Sequence, residues 1–266
     1  MKQPTENTLI QNLPWFKIWF DSPYYHKLYA HRSENEAAGF INELVAVLQP
    51  KQNATMLDVG CGNGRHCRQL AAKGFEVTGI DLALSGIRQA RKFASSSLQF
   101  FQHDMRHPFG DNHFDYVFNF FTSFGYFKDA EHNTVLRNMH NALKPGGNLV
   151  LDYMNIYYAE EHLIAEEEKE IDGIIYHITR WTNEKYFFKK IVIAKEQIGE
   201  PAEYTEQVTK FSLPDFQRML RMNNLEIETV YGDYNMNEFD KNNSPRLIMI
   251  AKKIEGQQTF FERHNV

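Results

Sequence analysis

The stretch that most constrains this 266-residue chain is Met56-Leu57-Asp58-Val59-Gly60-Cys61-Gly62-Asn63-Gly64-Arg65. A short apolar run containing an acid meets three glycines at alternate positions, and helical spacing follows at once. Read physically, this predicts a buried parallel strand, a tight turn and the exposed N-terminus of a helix. Glycine is needed where the backbone takes unusual torsions or lies flush against a ligand, because a Cβ would collide there. A helix N-terminus supplies unpaired N–H donors and a partial positive charge, which suit an anionic or polar group. Such a loop is built to hold a nucleoside-like cofactor.

The spacing narrows the choice. A dinucleotide fingerprint places its third glycine three residues after the second. Here Gly64 follows Gly62 by two residues, and Asp58 precedes Gly60. That pattern resembles the D/E-x-G-x-G-x-G motif of the class I S-adenosylmethionine (SAM)-dependent methyltransferases. Further matches follow in order. Phe75–Asp81 reads as a strand ending in an acid, a position beside the ribose where a carboxylate accepts from both hydroxyls. Asp81 can serve as cap of the next helix, Leu84–Phe93, beside its ribose role, and Leu82 is placed to pack on the adenine. Leu98–Met105 is a third strand ending in an acid. In the resembling family an acid there takes the adenine amino group and the next backbone N–H meets a ring nitrogen, which implies Asp104 and Met105. His113–Phe121 reads as a fourth strand, buried on both faces. The backbone of Asn119 and Phe120 is expected near the methionine portion of the cofactor. The Asp129–Leu143 helix runs into Lys144-Pro145-Gly146-Gly147, a turn that recurs in the same class before an apolar strand.

The resemblance covers Thr55–Asp152 through specific motifs and Leu213–Lys253 more loosely. It implies a Rossmann-like α/β fold: seven strands, mostly parallel, with helices on both faces. The strand Leu225–Tyr231 and a last strand from Pro245 form a hairpin-like ending. Between Asp152 and Phe211 the pattern changes to period-two alternation, in Gly173–Trp181, Tyr186–Ile193 and Ala202–Thr209. Alternation means antiparallel strands with one wet side. We expect a small antiparallel insert capping the carboxyl edge of the main sheet, as an acceptor-pocket lid, a dimerisation sheet or both. The resulting division is an N-terminal helical lid over residues 1–50, a core over 51–154 and 212–254, the insert over 155–211 and a tail over 255–266. In methyltransferases of this look an N-terminal helix covers SAM, which implies Tyr29 and Arg32 as contacts to the methionine carboxylate. Asp58, Cys61 and the three glycines complete the expected cofactor set.

Methyl transfer from a sulfonium is an in-line displacement with a neutral leaving group, so positioning and exclusion of water carry most of the catalysis. A general base is needed only when the nucleophile arrives protonated. No catalytic residue is therefore assigned from sequence. Tyr126, Tyr153, His177 and Arg180 are acceptor-pocket candidates, because they flank the cofactor edge or sit in the insert. The expected product cofactor is S-adenosylhomocysteine (SAH). His103 and His107 stand four apart, but Pro108 denies them the helix a metal pair needs, so no metal is expected. The formal net charge of −5 argues against a nucleic-acid footprint, and no apolar stretch approaches membrane-spanning length. Two cysteines, Cys61 and Cys67, read as reduced thiols of a cytoplasmic protein, acting as a monomer or homodimer on a small-molecule acceptor. The rival readings are a non-catalytic SAM-binding module and an NAD(P)-dependent oxidoreductase.

Overall fold

The structure is a computed structural model that describes residues 13–30, 33–194, 198–199 and 201–254. Among the described residues three helices come first: α1 (Trp15–Trp19), α2 (Pro23–Leu28) and α3 (Glu34–Leu48). Ser22 and Ser33 cap the latter two through their hydroxyls, and Pro23 occupies the first turn of α2, where its missing N–H does no harm. Then β1 (Thr55–Val59), α4 (Arg65–Ala72), β2 (Glu76–Asp81), α5 (Leu84–Ala90), β3 (Leu98–Gln102), β4 (Phe114–Asn119), α6 (Asp129–Ala142) and β5 (Leu143–Met154) alternate. After α7 (Ile156–Glu161) come four strands, β6 (Glu166–Ile171), β7 (Ile174–Thr182), β8 (Tyr186–Ile193) and β9 (Ala202–Thr209). The chain closes with α8 (Leu213–Met222), β10 (Leu225–Tyr231) and β11 (Arg246–Lys253).

The main sheet has the order β10-β11-β5-β4-β1-β2-β3, and only β11 runs antiparallel to its neighbours. Alternation along each strand sends successive side chains to opposite faces. Leu57, Leu149 and Leu151 therefore pack with α6 and α8 through Leu136, Met139 and Phe216. Met56, Phe118 and Val150 pack with α3, α4 and α5 through Ile41, Leu70 and Ile87. The reversal of chain order between β1 and β4 opens a crevice at the carboxyl ends of the strands, where such sheets bind ligands.

The second sheet, β6-β7-β8-β9, is antiparallel throughout. Its inner face shares a core with the N-terminal helices: Trp19 and Leu28 pack with Tyr176, Ile178 and Ile191. The aromatic N-terminus thus fastens to the insert as well as to the main sheet, which it reaches through Phe16. Two local features differ from the sequence reading. Glu166–Ile171, almost all charged, lies outside the alternating runs and forms an edge strand, because β7 offers it a full register from Glu166↔Thr179 to Ile171↔Ile174. Charged edge strands resist further pairing. The Lys144–Gly147 turn is absorbed into β5 as a register shift against β4, where a Cβ on Gly147 would lie 2.9 Å from the Asp115 carbonyl oxygen.

Candidate active site at the carboxyl edge of the sheet

A chamber of about 1030 Å³ lies over the carboxyl ends of the main strands. Its floor includes Gly60–Asn63, Asp81–Leu82, Asp104–Met105 and Phe120–Ser123, and its roof comes from α1, α2 and β9. The three glycines of the loop all have positive φ, at 82°, 57° and 77°, yet they do different work. A Cβ on Gly60 would stand 2.8 Å from Ser123 Cβ, and one on Gly64 2.5 Å from Phe100 Cε1. These two allow close packing of loop on sheet. Gly62 is different: nothing lies within 4 Å of where its Cβ would stand, so its bare face opens toward a ligand.

Asp81 holds that loop. Its Oδ2 accepts from the Gly62 N–H and its Oδ1 from the Ala83 N–H, each at 2.8 Å. Burial pushes its carboxyl up from the ordinary value, and these backbone donors oppose the shift. A carboxylate has about four lone-pair sites, so each oxygen keeps one for a partner in the chamber, the arrangement a ribose diol requires. The open face of Gly62 and these spare acceptors fit the nucleoside of SAM. Leu82, Cys61, Met105 and Phe120 also line the chamber. Asp104 does so with its carboxylate held by Arg106, at 2.7 Å from the guanidinium, which bridges on to Glu131 at 2.7 Å. Burial raises the Asp104 pKa, but the Arg106 contacts outweigh it and the net direction is down.

Several expected site residues stand elsewhere. Asp58 is 1 % exposed and sits beneath the loop, outside the chamber lining; Cys67 Sγ donates to its Oδ2 at 3.3 Å, and its Oδ1 has no hydrogen-bond partner. Asn119 is fully buried and its amide donates to the Val59 carbonyl at 2.7 Å, tying β4 to β1. Gly64 is likewise outside the lining. Tyr153 is a core residue whose hydroxyl donates to the Thr209 carbonyl, because its parity on β5 matches that of Leu149 and Leu151. His177 lies on the outer face of the insert against Glu168, and Arg180 pairs with Glu167; neither lines the chamber. Arg32 lies outside the described residues. Tyr29 does line it, but its hydroxyl donates to Glu206 at 3.0 Å and accepts from Lys189, so that proton is directed to the insert. Tyr126 lines it too, with its hydroxyl on the Thr122 carbonyl.

Sequence reasoning missed Glu206 and Arg246, both of which line the chamber. Arg246 donates through Nε to Asp152 Oδ1 at 2.8 Å and through Nη2 to Thr122 Oγ1 at 3.0 Å. Fully buried Asp152 also accepts from the Phe121 N–H at 2.8 Å and the Tyr234 hydroxyl at 3.2 Å. This network holds Phe121 and Thr122, both at positive φ (60° and 59°), a strained pair of the kind found at functional sites. For Arg246 the available signal was a charge at the start of the otherwise apolar run Leu247–Ala251; the mixed sequence of β9 offered none for Glu206.

Residues 56–147 match the family described as methyltransferase domain. The Bacillus subtilis protein YqeM, which carries a provisional methyltransferase name, is 29 % identical over 76 % of this chain and 85 % of its own. A SAM-dependent methyltransferase from Clostridium acetobutylicum has the same fold, with a TM-score of 0.72 at 18 % identity, over 87 % of this chain and 96 % of that one. Residues 56–147 are thus a methyltransferase domain, carried on the fold of SAM-dependent methyltransferases. The chain's fold is also that of CalS10, an amino pentose methyltransferase from Micromonospora echinaspora solved with SAM bound, with a TM-score of 0.62 at 21 % identity over 87 % of this chain and 97 % of that one. Among the described residues no helix of the methyltransferase is long and apolar enough to cross a membrane.

The acid under the loop gives the methyltransferase a pH signature. Burial raises the Asp58 carboxyl from 3.8 to about 7. Between those values the folded protein holds a proton that the unfolded chain has released. The associated stabilisation is full below pH ~4 and is lost as pH rises toward ~7. Buried His132, pushed down to about 4, has the opposite slope over the same window, so the comparison must be between variants. Asp58→Asn is expected to gain Tm relative to wild type as pH rises through that window. A constant difference between the two across differential-scanning runs would contradict the burial of an ionisable group there.

Proposed function

We propose that this methyltransferase acts on a small molecule held in the part of the chamber bounded by α1, α2, Tyr126 and β9. The observation that carries this reading is one chamber with two kinds of wall. Polar backbone and acids line the nucleoside side; aromatic rings of the lid and the inner face of β9 line the other. Its volume stands at the top of the ~300–1,000 Å³ range of small-ligand pockets, which suits donor and acceptor together rather than a polymer. In this reading Asp81 accepts from the ribose hydroxyls and Leu82 packs on the adenine. Asp104 and the Met105 backbone meet the adenine edge, and the Gly60–Gly62 backbone with Phe120 borders the methionine portion. Asp58, Gly64 and Asn119 shape the loop from below. Of the expected lid over residues 1–50, α1 and α2 cover the chamber in this reading, and the insert over 155–211 closes the acceptor side.

When bound, SAM supplies an electrophilic methyl group and a neutral leaving group. The protein's own part is to hold the two reactants in line and keep water out. The amino pentose named for CalS10 is a small molecule, and supports this acceptor class. Two free buried thiols, Cys61 and Cys67, support a reducing, cytoplasmic setting, and the protein is read as a monomer or homodimer with no nucleic-acid or membrane partner. The test is SAH release over a panel of small metabolites, an RNA, a duplex DNA and a protein lysate freed of small molecules. Release with members of the first group alone is expected; release with a polymer alone would overturn the proposal.

A further inference from the structure

We infer that Glu206 receives the acceptor and that the acceptor is a basic aliphatic amine; the inference rests on the small-molecule reading above. Glu206 has the inward parity of β9, shared with Tyr204 and Val208, so the strand carries an acid to a face that is otherwise apolar and aromatic. Among the carboxylates that line the chamber, it alone faces the acceptor side unspent. Asp21 accepts from the Ser85 N–H at 2.6 Å, Asp81 holds the glycine loop, and Asp104 is closed by Arg106.

Glu206 is contacted only by neutral donors among the described residues. Its Oε1 accepts from Trp19 Nε1 at 2.6 Å and from the Tyr29 hydroxyl at 3.0 Å. Its Oε2 has no hydrogen bond from a described residue. Lys189, its cross-strand neighbour, directs an ammonium hydrogen to the Tyr29 hydroxyl. The lining cation of that side, Arg246, is held by Asp152. What remains is a carboxylate oxygen able to take a hydrogen bond from a ligand.

Leading to it is a run of rings, each of which lines the chamber. Tyr126 and Phe20 are 5.2 Å apart between centroids, Phe20 and Tyr25 5.0 Å, and Tyr25 and Tyr29 4.8 Å. Ring faces attract cations electrostatically, the more so when water is excluded. A carboxylate at the end of an aromatic wall is the chemistry that selects a protonated amine over an alcohol or an acid. It also fills the one need the transfer has beyond positioning. The amine enters as an ammonium ion, and Glu206 Oε2 takes one proton, which frees the nitrogen lone pair. Nitrogen then bonds the methyl carbon as the C–S bond breaks, and that electron pair goes to sulfur. The positive charge moves from sulfur to the methylated nitrogen, and the proton on Glu206 passes to solvent when the chamber opens.

Glu206→Gln keeps an oxygen for Trp19 and Tyr29 while removing the charge, so it tests the inference without dismantling the wall. The full chain is first saturated with SAH. Binding of benzylamine, cyclohexylamine, benzyl alcohol and benzoate is then measured by calorimetry, and methyl transfer from SAM to each is followed by SAH release. Wild type is expected to bind the amines at least tenfold more tightly than the alcohol and to methylate only the amines. The variant is expected to lose that preference and at least a hundredfold in amine kcat/KM, with its Tm and SAM affinity within experimental reach of wild type. Absence of an amine preference in wild type, or its survival in Glu206→Gln, would overturn the inference while leaving the small-molecule proposal standing. Methyl transfer confined to polymers would sink that proposal first. If the variant is less stable, Thr205→Ala, on the opposite face of β9 and outside the chamber lining, serves as the control for a weakened strand: it is expected to keep the preference, and its loss there too would assign the effect to the strand and overturn the role of Glu206.

Discussion

Asp81→Ala is expected to weaken SAM binding by between about tenfold and 150-fold, the range that corresponds to the ~1.5–3 kcal/mol of a hydrogen bond to a charged group. The substitution removes two things at once. It takes away the spare acceptor sites that fit the ribose hydroxyls, and it releases the Gly62 and Ala83 N–H groups that Asp81 holds at 2.8 Å. The second effect loosens the loop at Gly62, the glycine whose open face lines the chamber. Asp81→Asn separates the two: one amide oxygen can still accept, so the loss is expected to be smaller. Titration calorimetry with SAM on the three proteins reads the order directly. Equal affinities in wild type and Asp81→Ala would remove the acid from the cofactor site.

The second large effect is on stability. Arg246→Met is expected to lower the unfolding free energy by about 3–5 kcal/mol, the usual penalty for leaving one half of a buried ion pair uncompensated. Asp152 is fully buried and Arg246 16 % exposed at the side chain, so solvent cannot stand in for the lost guanidinium. The Phe121 N–H and the Tyr234 hydroxyl still donate to Asp152, which keeps the loss within that range. The double variant Asp152→Asn with Arg246→Met is expected to recover part of it, since no buried charge remains. Urea unfolding of the set checks this. A single variant as stable as wild type would show that the pair contributes nothing to the fold.

What was legible in the sequence was whatever depends on local spacing. Three glycines in alternate positions specify a loop by themselves, and an acid at the end of a strand beside that loop, Asp81, inherits its place from strand order alone. The order followed from alternating helices and strands, because crossovers in such sheets keep one hand and short connections. Parity was legible as well, and it was not used to the full. His177 alternates out of phase with Tyr176 and Ile178, which puts it on the wet face. Tyr153 alternates in phase with Leu149 and Leu151, which puts it in the core. What was not legible is what two distant segments do together. Glu206 matters because Trp19 and Tyr29, more than 170 positions earlier, close over it, and no spacing within β9 announces that. Edge strand β6 escaped for a different reason. Its Glu-rich sequence has low strand preference, and the partner register on β7 outweighs it.

The N-terminal helices are fastened on two sides. Asp21 and His26 reach Ser85 at the start of α5, on the nucleoside side, while Trp19 and Tyr29 reach Glu206 on the other. A short segment held at both ends is a shared boundary, so a guest that tightens one fastening alters the free energy of the other. The coupling between the two guests is then reciprocal by thermodynamic necessity: whatever factor the donor adds to acceptor affinity, the acceptor adds to donor affinity. By the same bridge, departure of the spent donor is expected to be linked to release of the methylated product, because the segment Trp19–Tyr29 is fastened on both sides of the chamber.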